Sequence, residues 1–308
     1  MKHSTVMETK ALLGKFVLAT GVAIAALSAQ GLDQVQIEKA KTAEADLAGR
    51  GKIEWNFTEE KGLKVLKSSK GLKTVEGEVV IPEGVQKIAK NAFFGCEKIT
   101  SVVIPEGVKV IEKSAFYGCK ALVSIKIPDS VETIGDDVLS GCDALKTVTL
   151  PKGLKTVGEG VFNHCLSLTS VTLPEGVECV GEKMFWGCEA LESVTIPRGV
   201  SKIGVQAFSS CKKLTRVTIP GTVESIGEHA FKDCDSLTTV AIPKGVKKIG
   251  DYAFYGCDSL KEVTIPEGVE TIGMMAFAKC KALSKVVVPP SVKTIGMMAF
   301  PPKTKVVR

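Results

Sequence analysis

The chain has 308 residues, of which 44% are hydrophobic and 24% are charged, a composition that excludes a disordered or collagen-like protein. A surplus of 40 Lys and Arg over 34 Asp and Glu gives a net charge of +6. The surplus forms no basic block, so no nucleic-acid partner is predicted. The three histidines, His3, His164 and His229, are far apart in sequence, which disfavours a multi-histidine metal or catalytic site.

The N-terminal residues 1–29 have the pattern of a signal peptide. Three lysines precede an apolar run at residues 16–27, and small residues follow around Ala29, as in a secretory signal with its cleavage site. The run is short for a membrane span, so no integral span is predicted in the mature chain. We therefore expect export to the cell surface, the periplasm or the medium. The alternative is an uncleaved apolar helix in a cytoplasmic protein.

Residues 30–78 are predicted to form an N-terminal helix and capping region. Asp33 can cap a helix that Gly49 ends. Apolar residues then alternate at Ile53, Trp55 and Phe57, which predicts a first strand that covers the open end of the following core.

A repeat with a period of 23 residues dominates the rest of the chain. Proline recurs at this interval from Pro82 to Pro289, cysteine from Cys96 to Cys280, and phenylalanine from Phe93 to Phe300 with one leucine, Leu139, in its place. A constant period of this length is typical of a solenoid, in which stacked units bury one continuous core.

Each part of the unit has a structural interpretation, shown here for Pro243 to Ile265. The pattern Leu-x-x-Val-x-Ile ending at Ile265 predicts a short strand with alternate residues facing outward. Pro-x-Gly suits a turn with proline second and glycine fourth. Gly250 is expected to allow a sharp bend, and Ala253–Phe254 to form a short helical or 3₁₀ turn that fills the interior.

The repeat resembles the 23-residue leucine-rich repeats of the BspA-like family, with the form L-x-x-V-x-I-P-x-x-V-x-x-I-G-x-x-A-F-x-x-C-x-x, over residues 79–300. The resemblance implies an α/β-type repeat solenoid of about ten repeats, mostly β with short helical or 3₁₀ turns. It implies a curved, right-handed stack with a parallel β-sheet on its concave face. Residues 301–308 are expected to form a short C-terminal tail, with Val306 at the position of the next leucine.

Nine of the ten cysteines share one phase of the repeat. Similarly directed side chains in parallel coils have unfavourable geometry for disulfides, and a ladder offers no tetrahedral metal site. We expect small buried thiols that donate weakly to neighbouring carbonyl groups. Cys179 is out of phase, so we expect it to be exposed or at an edge and to be the best candidate for a reactive thiol.

The outward residues of the strands form the first candidate partner-binding surface. Rigid concave solenoid faces commonly bind partners, whereas strand propensity alone would also favour threonine there. The candidate residues are Thr149, Ser170, Thr172, Ser193, Thr195, Arg216, Thr218, Thr239, Glu262 and Thr264.

A second candidate surface follows the repeated phenylalanine by one residue. Four aromatic residues occupy this position, and each precedes a glycine. Exposed aromatic side chains often anchor protein contacts, but we favour the interpretation that each ring is partly buried against the neighbouring coil, because the turn geometry can tuck a ring there. These residues are Phe94, Tyr117, Trp186 and Tyr255.

The sequence contains no motif of a hydrolase, metalloprotease or nucleotide-binding site. We therefore predict no catalytic residues, no metal site, no cofactor and no enzymatic activity. Known surface members of the family are adhesins, so the resemblance implies a protein ligand such as a host extracellular-matrix or cell-surface protein. The alternative is a structural envelope or intracellular scaffold that self-associates through its repeat stack.

Overall fold

The computed structural model describes residues 53–68 and 71–308. The predicted signal peptide at residues 1–29 and the predicted helix between Asp33 and Gly49 lie outside the described residues.

The described chain forms a parallel-sheet solenoid of about ten turns. After a first strand, β1 (Phe57–Glu60), the strands of two ladders alternate along the chain, which we call the short and the long strands. The short strands have two residues each, except for β2 with four. The short strands are β2 (Leu63–Leu66), β4 (Lys87–Ile88), β6 (Val110–Ile111), β8 (Thr133–Ile134), β10 (Thr156–Val157), β12 (Cys179–Val180), β14 (Lys202–Ile203), β16 (Ser225–Ile226), β18 (Lys248–Ile249), β20 (Thr271–Ile272) and β22 (Thr294–Ile295). The long strands are β3 (Gly77–Val80), β5 (Ile99–Val103), β7 (Ser124–Lys126), β9 (Thr147–Thr149), β11 (Ser170–Thr172), β13 (Ser193–Thr195), β15 (Arg216–Thr218), β17 (Thr239–Ala241), β19 (Glu262–Thr264), β21 (Lys285–Val287) and β23 (Lys305–Val307).

At most boundaries, both strand types pair in parallel with the equivalent strand of the next coil, where a coil is one 23-residue unit starting at its proline. In the long-strand ladder Ser124 pairs with Thr147, and in the short-strand ladder Lys202 pairs with Ser225. Both steps equal one repeat. Residues in the same phase therefore form straight columns along the stack, and the predicted solenoid is confirmed.

The inward residues of every coil form one continuous hydrophobic core. Its centre is a column of phenylalanine rings, such as Phe231 and Phe254, whose centroids are 5.1 Å apart with nearly parallel planes. Offset-stacked aromatic rings contribute beyond the area that they bury. The 23-residue period thus places identical side chains in contact.

The segment around each phenylalanine is not a helix, in contrast to the expected helical or 3₁₀ turn; the described residues contain only strands, turns and bends. Its N–H groups alternate in direction. Those of Ala253 and Tyr255 donate to the third preceding residue of the same coil, whereas those of Tyr252 and Phe254 donate to the next coil. A 3₁₀-helix needs consecutive local bonds, so the inter-coil bonds prevent one.

Gly250 is required by the close approach of two coils rather than by a bend. Its φ is not in the left-handed region, and a Cβ there would lie 2.7 Å from the backbone nitrogen of Glu228 in the preceding coil. Only glycine fits without a shift of the backbone.

The proline turns begin one residue later in the chain than predicted. The N–H of Val246 donates to the carbonyl oxygen of Pro243 at 3.1 Å. Proline is therefore the first residue of the four-residue turn and glycine the third. Proline has no N–H for the strand ladder, and it lies just beyond the last paired residue of each long strand.

The first described residues cover the N-terminal end of the core. Strands β1 and β2 form an antiparallel hairpin, and Ile53, Trp55 and Phe57 pack against the core. The ring of Trp55 meets that of Phe93 edge-on, with 6.4 Å between centroids. As their alternation predicts, these side chains cover the end of the core, although strand β1 begins only at Phe57.

Within the expected tail, Lys305–Val307 form β23, which pairs with β21. Val306 pairs with Val286, so it takes the inward strand position rather than the leucine position that the period predicted. The last coil is therefore shorter than 23 residues. Val306 remains 44% exposed, and Met297 and Met298 are exposed as well.

Candidate recognition surface

The ten polar residues predicted on the long strands lie on one surface, which we call the hydroxyl face. All ten are exposed. In each strand the residue between the two outward side chains is an inward valine, such as Val171 or Val217. The alternation of a β-strand thus places the variable residues outside and the repeated residues inside.

The polar side chains of the hydroxyl face have no partners within the described part of the chain. None of the ten makes a side-chain hydrogen bond or an ion pair there. Arg216 and Glu262 share a column but are separated by Thr239, so two strand spacings, about 10 Å, divide their backbones. Their charges remain available to a ligand.

On the short-strand side, by contrast, several charges are paired between coils, which the sequence analysis missed. Glu132 pairs with Lys155 at 2.6 Å and with Lys109 at 3.4 Å, one coil to either side. Glu270 pairs in the same way with Lys293 at 3.0 Å. The hydrogen bond from Lys155 lowers the pKa of Glu132. Alternation of charge at the 23-residue period was the signal for these ladders.

The four aromatic residues of the second candidate surface do not form one continuous row. Phe94 and Tyr117 are exposed and stack in parallel with 5.0 Å between ring centroids. Trp186 is half-buried and lies edge-on to His164, with 4.7 Å between centroids. Non-aromatic residues occupy the same position in the intervening coils, which separates the rings into clusters.

Tyr255 belongs to a third cluster that includes residues missed by the sequence analysis. It is half-buried, and its ring centroid lies 5.6 Å from that of Tyr252. Tyr252 stacks in turn on His229, 4.9 Å away. Lys232 and Lys279 hold their ammonium groups 5.9 and 5.1 Å from the Tyr255 centroid. Two lysines of the protein itself therefore lie near the ring of Tyr255, which was one candidate for contact with a partner.

The nine in-phase cysteines are buried and unpaired, as predicted. The thiol of Cys188 donates to the carbonyl oxygen of Phe162 at 3.0 Å, and the other in-phase cysteines from Cys119 to Cys280 make the equivalent bond to the preceding coil. Burial raises the pKa of Cys188 to about 12, because the core disfavours the thiolate. These thiols are structural. Cys179 is exposed, as predicted, in the short strand β12.

No cluster of three or more metal-ligating side chains occurs among residues 53–68 and 71–308. In the same described ranges, no helix has the length and hydrophobicity that a membrane crossing requires.

The repeat region is similar to the family described as BspA type Leucine rich repeat region. Six copies of the family pattern match, over residues 73–192 and 178–306. These ranges include nearly all of the described solenoid. None of the curated proteins matches the chain.

Solved structures with similar folds come from several bacteria. A leucine-rich repeat protein from Bacteroides ovatus is 25% identical, with 82% of this chain and 97% of that one covered and a TM-score of 0.47. A leucine rich cell surface protein from Faecalibacterium prausnitzii is 23% identical, covering 80% and 94% of the two chains, with a TM-score of 0.45. The pneumococcal vaccine antigen PcpA is 19% identical, covering 80% and 84%, with a TM-score of 0.50. The likeness to PcpA supports the fold.

Proposed function

Because the chain belongs to the family of BspA-type leucine-rich repeat proteins, which are protein-interaction modules, we propose that it is an exported protein that binds a protein partner through its hydroxyl face. The partner class is an extracellular-matrix or cell-surface protein of a host or a neighbouring cell. The protein acts by binding and not by catalysis.

The unpaired polar side chains of the hydroxyl face carry the proposal. Arg216 and Glu262 have no ion pair among the described residues, whereas Glu132 and Glu270 on the short-strand side are paired with lysines. An ion pair on the surface contributes little to stability, but its charges are less available to a binding partner. Unoccupied charges and hydroxyl groups can instead bind a complementary surface, and such charges set partner choice and the association rate.

The repeat pattern supports the same face. Inward positions of the long strands keep valine or isoleucine, while the outward column changes from Ser193 to Arg216, Thr239 and Glu262 in successive coils. The core demands constant side chains for stacking. The outward residues are free of that demand and can serve recognition.

Exchanging the charges of Arg216 and Glu262 tests whether the hydroxyl face binds the partner. The purified solenoid is screened against an array of extracellular-matrix proteins and cell-surface ectodomains, and the binders are measured with the double variant Arg216→Glu, Glu262→Lys. We expect at least a tenfold weaker affinity, because a like charge replaces an opposite one at two contacts. The matched control is Lys248→Glu with Glu224→Lys, an equal exchange of exposed charges on the short-strand side. Equal binding of both variants would contradict the proposed face.

Export is tested separately, since it rests on the sequence pattern of residues 1–29. The intact mass of the protein is measured in each fraction of its native cells. Loss of about 29 residues, as the signal pattern predicts, in an outer or secreted fraction supports export. A full-length chain in the cytoplasm would contradict it.

A further inference from the structure

One boundary between coils differs from every other in the described stack. The long-strand ladder is interrupted between β9 and β11, and the short-strand ladder between β10 and β12. These strands are consecutive in the chain, so both interruptions lie at one boundary, between residues 147–158 and residues 170–181, and we call this boundary the slot. Another interruption, between β13 and β15, affects the long-strand ladder alone.

The hydrogen bonds confirm that the slot lacks contacts present elsewhere. The N–H of Gly158 donates to Ile134 O, and that of Gly204 donates to Val180 O, both at 2.8 Å. The equivalent bond from Gly181 to Val157 is missing from the described structure. Backbone donors and acceptors of neighbouring coils are therefore separated here, and each lost bond weakens the interface.

Beside the short strands the two coils are also farther apart, although the turn next to them stays close: a Cβ on Gly176 would lie 2.6 Å from Leu154 O. A Cβ built on Gly204 or Gly227 would lie 2.8 or 2.6 Å from the backbone of the preceding coil. On Gly181 the nearest such atom is 3.4 Å away. On the N-terminal side of the slot, three core residues are only partly buried: Val148, Leu150 and Val157.

Met184 is the largest side chain in its column. It is fully buried at a position where the two preceding coils have Val138 and Val161 and the following coils have Ala207, Ala230, Ala253 and Ala276. Its terminal methyl carbon, Cε, lies 3.6 Å from the Cβ position of Gly181. Extra side-chain volume in a close-packed core forces the backbone to shift, so this larger side chain gives a physical reason for the separation beside it.

The opposite side of the same boundary remains closed. The N–H groups of Gly160, Phe162 and His164 donate to Glu182 O, Met184 O and Trp186 O at 2.9, 3.0 and 2.7 Å. The rings of Phe162 and Phe185 stack with 5.4 Å between centroids. The two coils are hydrogen-bonded along one side of the boundary and lack strand pairing along the other. This asymmetry is the geometry of a hinge.

We propose that the solenoid consists of two separately cooperative blocks, which meet between Thr169 and Ser170 and are joined by a hinge at this boundary with Met184 as its wedge. In a stack of repeats, stability depends on nearest-neighbour interfaces, and a weak interface divides the stack. The slot crosses the hydroxyl face between Thr149 and Thr172, so bending here changes the spacing of that face. The inference itself does not depend on the face binding a partner.

The two tryptophans of the chain allow the blocks to be observed independently. Trp55 lies in the first block and Trp186 in the second. Urea unfolding is followed by fluorescence in Trp186→Phe, which reports the first block, and in Trp55→Phe, which reports the second. Val131→Ala is then added to each background, with Val246→Ala as its matched counterpart in the second block; both valines are fully buried.

We expect Val131→Ala to lower the midpoint urea concentration reported by Trp55 alone, and Val246→Ala to lower that reported by Trp186 alone. Equal shifts of both reporters in both variants would overturn the two-block proposal, because they would show that the stack unfolds as one unit.

A covalent cross-link across the slot provides the second test. Thr156→Cys places a thiol one repeat before Cys179, across the unpaired strands, whereas Lys202→Cys pairs with the same Cys179 across the intact interface between β12 and β14. All three positions are exposed, so a short bismaleimide can bridge each pair of thiols. Once cross-linked, the first variant should make both reporters shift together, and the second should leave them independent.

Met184→Ala should also make both reporters shift together. Independent reporters in Met184→Ala would overturn the role of Met184 as the wedge, and independent reporters with the cross-link across the slot in place would overturn the hinge.

Discussion

The thiol of Cys142 donates a hydrogen bond of 3.3 Å to the carbonyl oxygen of Phe116 in the preceding coil. The same oxygen accepts the N–H of Cys119 at 3.3 Å. One buried carbonyl group therefore receives a bond from its own coil and another from the next. A buried acceptor that loses its partner costs free energy, which explains why a small side chain with a weak donor recurs at this position.

Cys142→Ala should lower the free energy of unfolding by about 1 to 2 kcal/mol, since it removes one hydrogen bond and leaves a small cavity. Urea denaturation of the purified protein measures the change. Cys179→Ala is the control, because that side chain is exposed, and it should change stability by less than about 0.5 kcal/mol. Equal losses in the two variants would show that the ladder bond contributes nothing.

Alkylation of the native protein should modify one cysteine, Cys179, and all ten only after denaturation. Burial raises the pKa of Cys96 to about 11 and that of Cys142 to about 12, so the reactive thiolate of these residues is scarce near neutral pH. Mass spectrometry after treatment with iodoacetamide counts the modified sites. Rapid labelling of several ladder cysteines without denaturant would contradict their burial.

Gly227→Ala should destabilise the protein by about 1 to 3 kcal/mol, because the new Cβ would be forced against the backbone of the preceding coil. Thermal unfolding measures the loss. Gly221→Ala is the matched control in the adjacent turn, where a Cβ meets no atom within 4 Å, and it should be neutral or slightly stabilising. Gly181→Ala should be tolerated better than Gly227→Ala, since its nearest backbone neighbour is farther away. The reverse order would contradict the open slot.

Stability should fall in acid partly through the ion pairs of the N-terminal hairpin. Hydrogen bonds from Lys67 and then Lys87 lower the pKa of Glu60 below its ordinary value of 4.5. A carboxylate with a lowered folded-state pKa stabilises the fold fully above its unfolded pKa, and this contribution is lost as the pH falls through the folded pKa.

Lys67→Met should therefore weaken the dependence of the melting temperature on pH between about 3 and 5, where Glu60 and its unfolded counterpart titrate, because Glu60 is the ion-pair partner of Lys67. Lys126→Met is the control, because Lys126 is exposed and has no ion pair among the described residues. Identical melting curves across this range for both variants would show that the hairpin pairs make no contribution.

The periodic part of the structure follows from the sequence alone. The 23-residue period keeps valine, leucine, phenylalanine and cysteine in constant phase. This pattern predicts a stack in which every coil repeats its predecessor and the shared positions face inward. The burial of the cysteine ladder, the exposure of Cys179 and the outward direction of residues such as Arg216 follow from this period and from strand alternation.

Features that depend on distances between coils could be decided only by the tertiary structure. The sequence pattern does not distinguish a glycine that bends the chain from one, such as Gly250, that lets two backbones meet. It likewise does not show that Trp186 turns toward His164, or that lysines cover Tyr255, because those contacts join different phases of the repeat. Met184 is one apolar residue in an apolar column, and only the spacing of neighbouring coils reveals that its extra volume holds the stack open on one side.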